Sequence, residues 1–195
     1  INDDSIELYI ARIGRFNLEG LSSWDQIIRQ VKNNFQTIPD MSHSEVQSII
    51  SAIGYTKGYD IWVPQNNRAT LQIKLTGQIT YRQSLPQKFS EVIDILQEID
   101  VIWLQRGSSE LIGLFEVEHT TPIYTALLRF NDVHLFSPNH NQIFRIIANE
   151  NRRPLFVRHL SRPTFCVSGL NKICSFLEYQ NVYNWFQRVC RLERS

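Results

Sequence analysis

The sequence predicts an α/β fold: a mixed central sheet flanked by helices, with an N-terminal helical segment ahead of it. Three observations lead there. Residues 1–57 carry apolar side chains at helical spacing, short β-rich runs begin at Gly58, and from Pro86 the pattern alternates helix, hairpin, helix, strand and helix. With 43% hydrophobic and 11% aromatic residues, 195 residues hold enough apolar material for one sizeable core. The expected division is an N-terminal helical segment over 1–57 and an α/β domain over 58–195.

Trp24, Ile27, Ile28 and Val31 follow the i, i+3, i+4, i+7 rule after Ser22-Ser23, which predicts a first helix. A second helix opens at Ser42-His43-Ser44-Glu45, with Ser42 or Ser44 as N-cap, Val46, Ile49, Ile50 and Ile53 as its buried stripe, and Gly54 as its stop. Both helices read as plain amphipathic elements without unusual polar groups on the apolar side, suited to a small cap or a partner surface. Strands are expected over Tyr59–Val63 and Leu71–Leu75 around a polar Pro64–Thr70 connection. Pro86 opens a helix that buries Phe89, Val92, Ile93, Leu96 and Ile99. Two apolar runs separated by Arg106-Gly107-Ser108-Ser109 then read as a β-hairpin. Thr121-Pro122, a Thr cap with Pro at the first helical position, starts a helix with Ile123, Leu127 and Phe130 on one face. Gln142–Ala148 is a strand, Arg152–Leu160 a short basic helix ended by Ser161-Arg162-Pro163, and Leu170–Leu192 mostly helix.

The hairpin carries the chemistry. Asp100 heads its first strand, and Glu116 and Glu118 lie near the end of the second. Side chains two apart on a strand share a face, so the glutamates stand side by side, and closure at the turn brings Asp100 across to them. Three gathered carboxylates repel one another unless something positive sits among them, and a hard divalent cation is the candidate. The expected roles are Asp100 and Glu116 as metal ligands, the Val117 carbonyl as a further oxygen ligand, and Glu118 as water positioner or second-metal ligand. Glu91 or Asp94 on the preceding helix would complete the shell, although each also reads as a polar-face residue. Charge is uneven around this centre: residues 145–195 carry 9 Lys/Arg against 3 Asp/Glu, whereas 101–144 carry 2 against 4. An acidic centre beside a basic third suits phosphodiester chemistry, with metal in one place and a phosphate grip in the other.

Asp100, a hairpin, then Glu116-Val117-Glu118 resembles the PD-(D/E)XK (restriction endonuclease-like) nuclease superfamily, whose core of helix, acidic hairpin, helix and strand is similar to residues 86–148. The strings GYDIWVP and FEVEHTTPIYTALLRFNDV also resemble bacterial restriction-like proteins, and the likeness covers roughly residues 54–180. It implies a restriction endonuclease-like core and an Mg²⁺- or Mn²⁺-dependent endonuclease acting on DNA. Such a protein would be a homodimer if it cuts both strands. Ile99 stands where Pro is common before the Asp, and Glu118 where Lys is usual, making this a Glu-x-Glu variant. The lost positive charge would be replaced by a second metal or by Arg129. The alternative is a catalytically inactive nuclease-fold domain that binds nucleic acid or a protein partner.

His119, Arg129, Arg152, Arg153 and Arg158 are the candidate nucleic-acid contacts, with His159 and Arg162 beside them. His119 points away from the Glu118 face, so a structural role competes, and Arg129 also reads as a surface arginine. Asp60 followed by Gln72-Ile73-Lys74 forms a competing acid…Gln-x-Lys pattern that keeps the Lys. Trp62, Trp103 and Trp185 read as core or rim aromatics. The 3 cysteines, Cys166, Cys174 and Cys190, fit no zinc spacing and read as reduced, mostly buried thiols of a cytoplasmic protein. No apolar run approaches the roughly 20 residues of a membrane helix, and no secretory leader is visible. A start at Ile1 without Met points to the C-terminal part of a longer protein.

Overall fold

The computed structural model of the chain describes residues 41–68, 71, 79–120, 122–138 and 142–192. The helix expected around Trp24–Val31, the Gln72–Leu75 part of the second strand, Thr121 and the Cys190 side chain lie outside those residues.

Helix α1 (His43–Thr56) is capped by Ser42. Its hydroxyl accepts from the Glu45 N–H at 3.3 Å, and Glu45 Oε2 accepts from the Ser42 N–H at 2.8 Å, a reciprocal capping box. The helix does not stop at Gly54, which lies inside it with its α-carbon against the Trp103 indole. Val46, Ile50 and Ile53 are fully buried, whereas Ile49 is only half-buried. The expectation of a plain apolar face also fails: Gln47, Ser48 and Ser51 are buried beside those aliphatic residues. Helix α1 belongs to the compact unit Asp40–Ser195.

Five strands form one sheet in chain order: β1 (Asp60–Trp62), β2 (Val101–Leu104), β3 (Leu111–Glu118), β4 (Ile143–Ala148) and β5 (Cys174–Glu178). The first two pairings are antiparallel and the last two parallel, so the sheet is mixed as expected. The β2–β3 hairpin turns through Gly107 at φ +73°, a left-handed conformation that favours glycine at this point of the turn.

Between β1 and β2 the single helix expected from Pro86 is two pieces. A 3₁₀ segment (Gln87–Val92) breaks at Phe89 (φ −100°, ψ 19°) before α2 (Ile93–Gln97). The kink still buries Phe89, Val92, Leu96 and Ile99, but leaves Ile93 half-exposed. Helix α3 (Ile123–Phe136) has Pro122 as an extended N-cap rather than as its first helical residue. A 3₁₀ turn (Glu150–Arg152) leads into α4 (Arg153–Leu160), followed by α5 (Pro163–Ser168), α6 (Leu170–Ile173) and α7 (Tyr179–Leu192). Leu170–Leu192 is mostly helix as expected, but strand β5 interrupts it. The strand lies parallel to β4, from Phe144↔Cys174 to Ala148↔Glu178, a long-range pairing that local periodicity cannot report.

Helices cover both faces. On one, Ile102, Leu104, Leu114, Phe144 and Ile146 pack with Leu96 of α2, Leu127 and Phe130 of α3 and Phe156 of α4. On the other, the Trp103 ring lies 4.4 Å from Phe115 and 5.6 Å from Trp185 of α7, and its Nε1 donates to the Ile50 carbonyl of α1 at 3.2 Å. Trp103 thus fills its volume without stranding its N–H. Cys174 is buried, with its thiol pushed up by burial, but Cys166 is exposed on α5, contrary to expectation. No helix among the described residues is long and apolar enough to cross a membrane.

Candidate active site at the carboxyl ends of the parallel strands

Strand register brings the acids to one end of the sheet. Val101 pairs with Phe115, so the next positions outward are Asp100 and Glu116. Glu118, Ala148 and Glu178 then form one row at the carboxyl ends of β3, β4 and β5. Open sheets with parallel strands bind ligands at this edge, where helix N-termini and loops converge.

Asp100 is held from two sides. Its Oδ2 accepts from the Val117 N–H at 2.8 Å and lies 3.2 Å from His43 Nε2. Its Oδ1 accepts from Gln47 Nε2 at 2.9 Å, and the same amide reaches the Asp100 carbonyl at 3.3 Å. Helix α1 therefore supplies two polar groups, His43 and Gln47, one turn apart on the face turned toward the hairpin. The hydrogen bond to Asp100 raises the His43 pKa, assisted by the charges of Asp100 and Glu118 and opposed by burial.

Glu116 is the most enclosed acid, its side chain 2% exposed, and its Oε1 accepts from Arg129 Nε of α3 at 2.7 Å. Burial raises its pKa well above the ordinary carboxylate range, and the Asp100 charge adds to the rise against the opposing pull of Arg129. Burial alone would lower the Arg129 pKa, but its bond to Glu116 and the surrounding acids hold it above the usual value. Arg129 is therefore the cation that the clustered acids call for, rather than a surface arginine.

Glu118 is also buried, and its carbonyl accepts from Arg152 Nη1 at 3.0 Å and from the Tyr179 hydroxyl at 3.5 Å. Burial first, then the nearby acids, pushes the Tyr179 pKa up to about 12. Past the strand end, the exposed His119 ring lies 5.1 Å from Tyr179 and 6.0 Å from His43. Arg153 forms an ion pair with Glu178 and places its guanidinium 4.9 Å from the Phe176 ring. Arg158 is exposed on α4.

The structure corrects the three-acid cage. Among the described residues, no three His, Cys, Asp or Glu side chains converge to hold a metal ion, so neither Glu118 nor the exposed Glu91 and Asp94 complete such a group. Three contacts account for this: Arg129 draws Glu116 toward α3, while Gln47 and His43 draw Asp100 toward α1. What remains is a pair of carboxylates with the Val117 main chain between them. The competing pattern is displaced as well: Asp60 pairs with Leu104 at the opposite end of β2 and lies 3.7 Å from both Arg82 and Arg106, while Gln72–Lys74 fall outside the described residues.

Sequence reasoning missed His43, Gln47 and Tyr179. A weak signal existed for Gln47, a polar residue directly after Val46 and within the buried arc of the helix.

A family model described as the type II restriction enzyme NmeDI C-terminal domain matches residues 27–193. The chain belongs to that family. It is also similar to the type II restriction enzyme NmeDI of Neisseria meningitidis serogroup C, at 26% identity over 131 residues, 63% of this chain and 37% of that protein. The chain thus spans little more than a third of this relative's length. No solved structure matches.

Proposed function

We propose that this chain is the metal-dependent endonuclease domain of a larger restriction-type enzyme, hydrolysing DNA phosphodiester bonds with a Glu-x-Glu variant of the PD-(D/E)XK site. The observation that carries this reading is the placement of Asp100 across the hairpin from the buried Glu116, at the carboxyl end of β3, the edge where open parallel sheets generally bind ligands. Kinship with a type II restriction enzyme supports DNA as the substrate class.

The donor set suits Mg²⁺ or Mn²⁺ in kind. Mg²⁺ is commonly bound through one or two carboxylates plus waters and substrate phosphate oxygens, not through an all-protein cage. Asp100, Glu116 and the Val117 carbonyl would hold it, and Glu116, whose buried carboxyl binds protons more tightly than usual, is a group that added positive charge would relieve. When bound, such an ion polarises the scissile phosphate and acidifies a water. The chain's own residues do the rest. Gln47 and the Val117 N–H fix the Asp100 carboxylate. Arg129 neutralises Glu116 in place of the missing lysine. Glu118 orients the attacking water, while Arg152, Arg153, Arg158 and the exposed His119 grip flanking phosphates. Cutting both strands calls for two such sites, hence a homodimer, acting in restriction or defence in the cytoplasm.

A second reading is favoured by the Arg129–Glu116 pair, which already supplies positive charge to the site: a nuclease fold that binds nucleic acid or a partner without cleaving. Cleavage of plasmid DNA with Mg²⁺ or Mn²⁺ tests the first reading. Asp100→Ala and Glu116→Ala should each abolish it with the circular-dichroism spectrum unchanged. Undiminished cleavage in either variant overturns the assignment, and DNA binding without cleavage by the unaltered chain selects the second reading.

A further inference from the structure

A cleft of about 780 Å³ runs away from Asp100 on the β1 side of the sheet, the side opposite the Arg152–Arg153 cluster. Strand register accounts for its position. Trp62 pairs with Ile102, so continuing the antiparallel pairing brings Pro64 beside Asp100, and the 3₁₀ turn Gln65–Asn67 leaves the sheet at the same end as the acids. The chain around Gln83–Leu85 and helix α2 form the other walls.

The chemistry of the lining is selective. Gln65, Asn66, Asn67, Gln83 and Gln97 contribute amides, Trp62 an aromatic wall, and Glu98 and Asp100 carboxylates. Among the described residues lining the cleft there is no Lys, Arg or His. A polyanionic backbone would be repelled from such a surface, so it is not a phosphate track. Its size falls within the roughly 300–1,000 Å³ of small-ligand sites, but those are predominantly apolar. Gln83 already binds Arg68 at 2.9 Å. Gln65, Asn66 and Gln97 are exposed and make no side-chain hydrogen bond with the described residues, so their donors and acceptors are available to a ligand. Amide side chains present a donor and an acceptor side by side, the pairing that reads a nucleobase edge and adenine best of all.

We infer that the amide cleft is a nucleobase subsite: it receives the base of a nucleotide flanking the scissile phosphate, and Gln65, Asn66 and Gln97 determine which base is accepted. This rests on the nuclease reading and adds to it a division of labour. Cations on the β4–β5 side hold phosphates, and neutral amides on the β1 side read a base.

The test uses the full chain with duplex oligonucleotides that are intact or carry one abasic position, moved stepwise across the cut site. The unaltered chain should show one position, flanking the cut, where loss of the base lowers the cleavage rate by about 5- to 150-fold, the discrimination of one good base contact. In Asn66→Ala/Gln97→Ala that penalty should be lost, intact and abasic duplexes being cut at nearly equal rates, with penalties elsewhere retained. Variants that keep the full penalty overturn the subsite while leaving the nuclease reading standing. A chain that cleaves nothing with Mg²⁺ or Mn²⁺ overturns the nuclease reading, and the subsite with it.

Discussion

Arg129→Ala is the perturbation that the site's electrostatics predict most sharply. Glu116 has a side chain 2% exposed and Arg129 one 23% exposed, joined at 2.7 Å. Removing one partner of a buried pair costs about 3–5 kcal/mol, because the other charge is left uncompensated. The partial exposure of Arg129 argues for the lower end, about 3 kcal/mol at pH 8. For a unit of this size each kcal/mol lowers the melting temperature by about 2–4 °C, so a drop of about 6–12 °C is expected. The pH dependence is the stronger signature. A carboxyl whose pKa is raised on folding above its ordinary 4.5 contributes stability that is fully present below that value and lost as pH rises through the folded pKa. Arg129 opposes the rise, so its removal raises the pKa further and carries the loss to higher pH. At pH 5 Glu116 escapes the cost by taking a proton, and the deficit relative to the unaltered chain should shrink to about 1 kcal/mol or less. Urea melts of both proteins from pH 5 to 8, without divalent ions, measure this. A deficit under about 1 kcal/mol at pH 8, or one that does not change with pH, refutes the buried-charge argument.

Other consequences are checked more simply. Gln47→Leu keeps the volume but removes the donor that fixes Asp100, so cleavage should fall about 10–100-fold while DNA affinity in a filter-binding assay holds; an unchanged rate contradicts the positioning role. Arg152→Ala and Arg153→Ala should each weaken binding evenly across sequences and reduce the slope of log affinity against log salt by about 1, whereas an unaltered slope removes them from the phosphate grip. Gly54→Ala drives a Cβ into the Trp103 indole and the Ile61 side chain, which should cost about 1–3 kcal/mol in thermal melts and shift tryptophan fluorescence; an unshifted melt denies the close approach of α1 to the sheet.

What could be read from the chain alone follows the range of the interactions. The hairpin was legible because two apolar runs and the Arg106–Ser109 turn are local signals, and its closure alone sets Asp100 against Glu116. The sheet's mixed character followed from a hairpin succeeded by a helix and a strand. Strand β5 was not legible, since Cys174–Glu178 becomes a strand by lying parallel to β4 some 30 residues away in sequence. The kink at Phe89 reflects packing of Phe89 and Leu96 into the core rather than a local breaker. At the site, the positive charge beside Glu116 is Arg129, thirteen residues away, and sequence offered no means of choosing it over a metal ion. Gln47 acquires its meaning only through Asp100, 53 residues away, and until then it is one polar residue in a helix.

The central claim is that Asp100 and Glu116 form a divalent-cation site despite the Arg129 contact. Isothermal calorimetry of the full chain against Mg²⁺ and Mn²⁺ tests it directly, with Asp100→Ala alongside. The account predicts saturable binding by the unaltered chain that disappears in the variant. No binding by the unaltered chain, or the same binding by both, contradicts it.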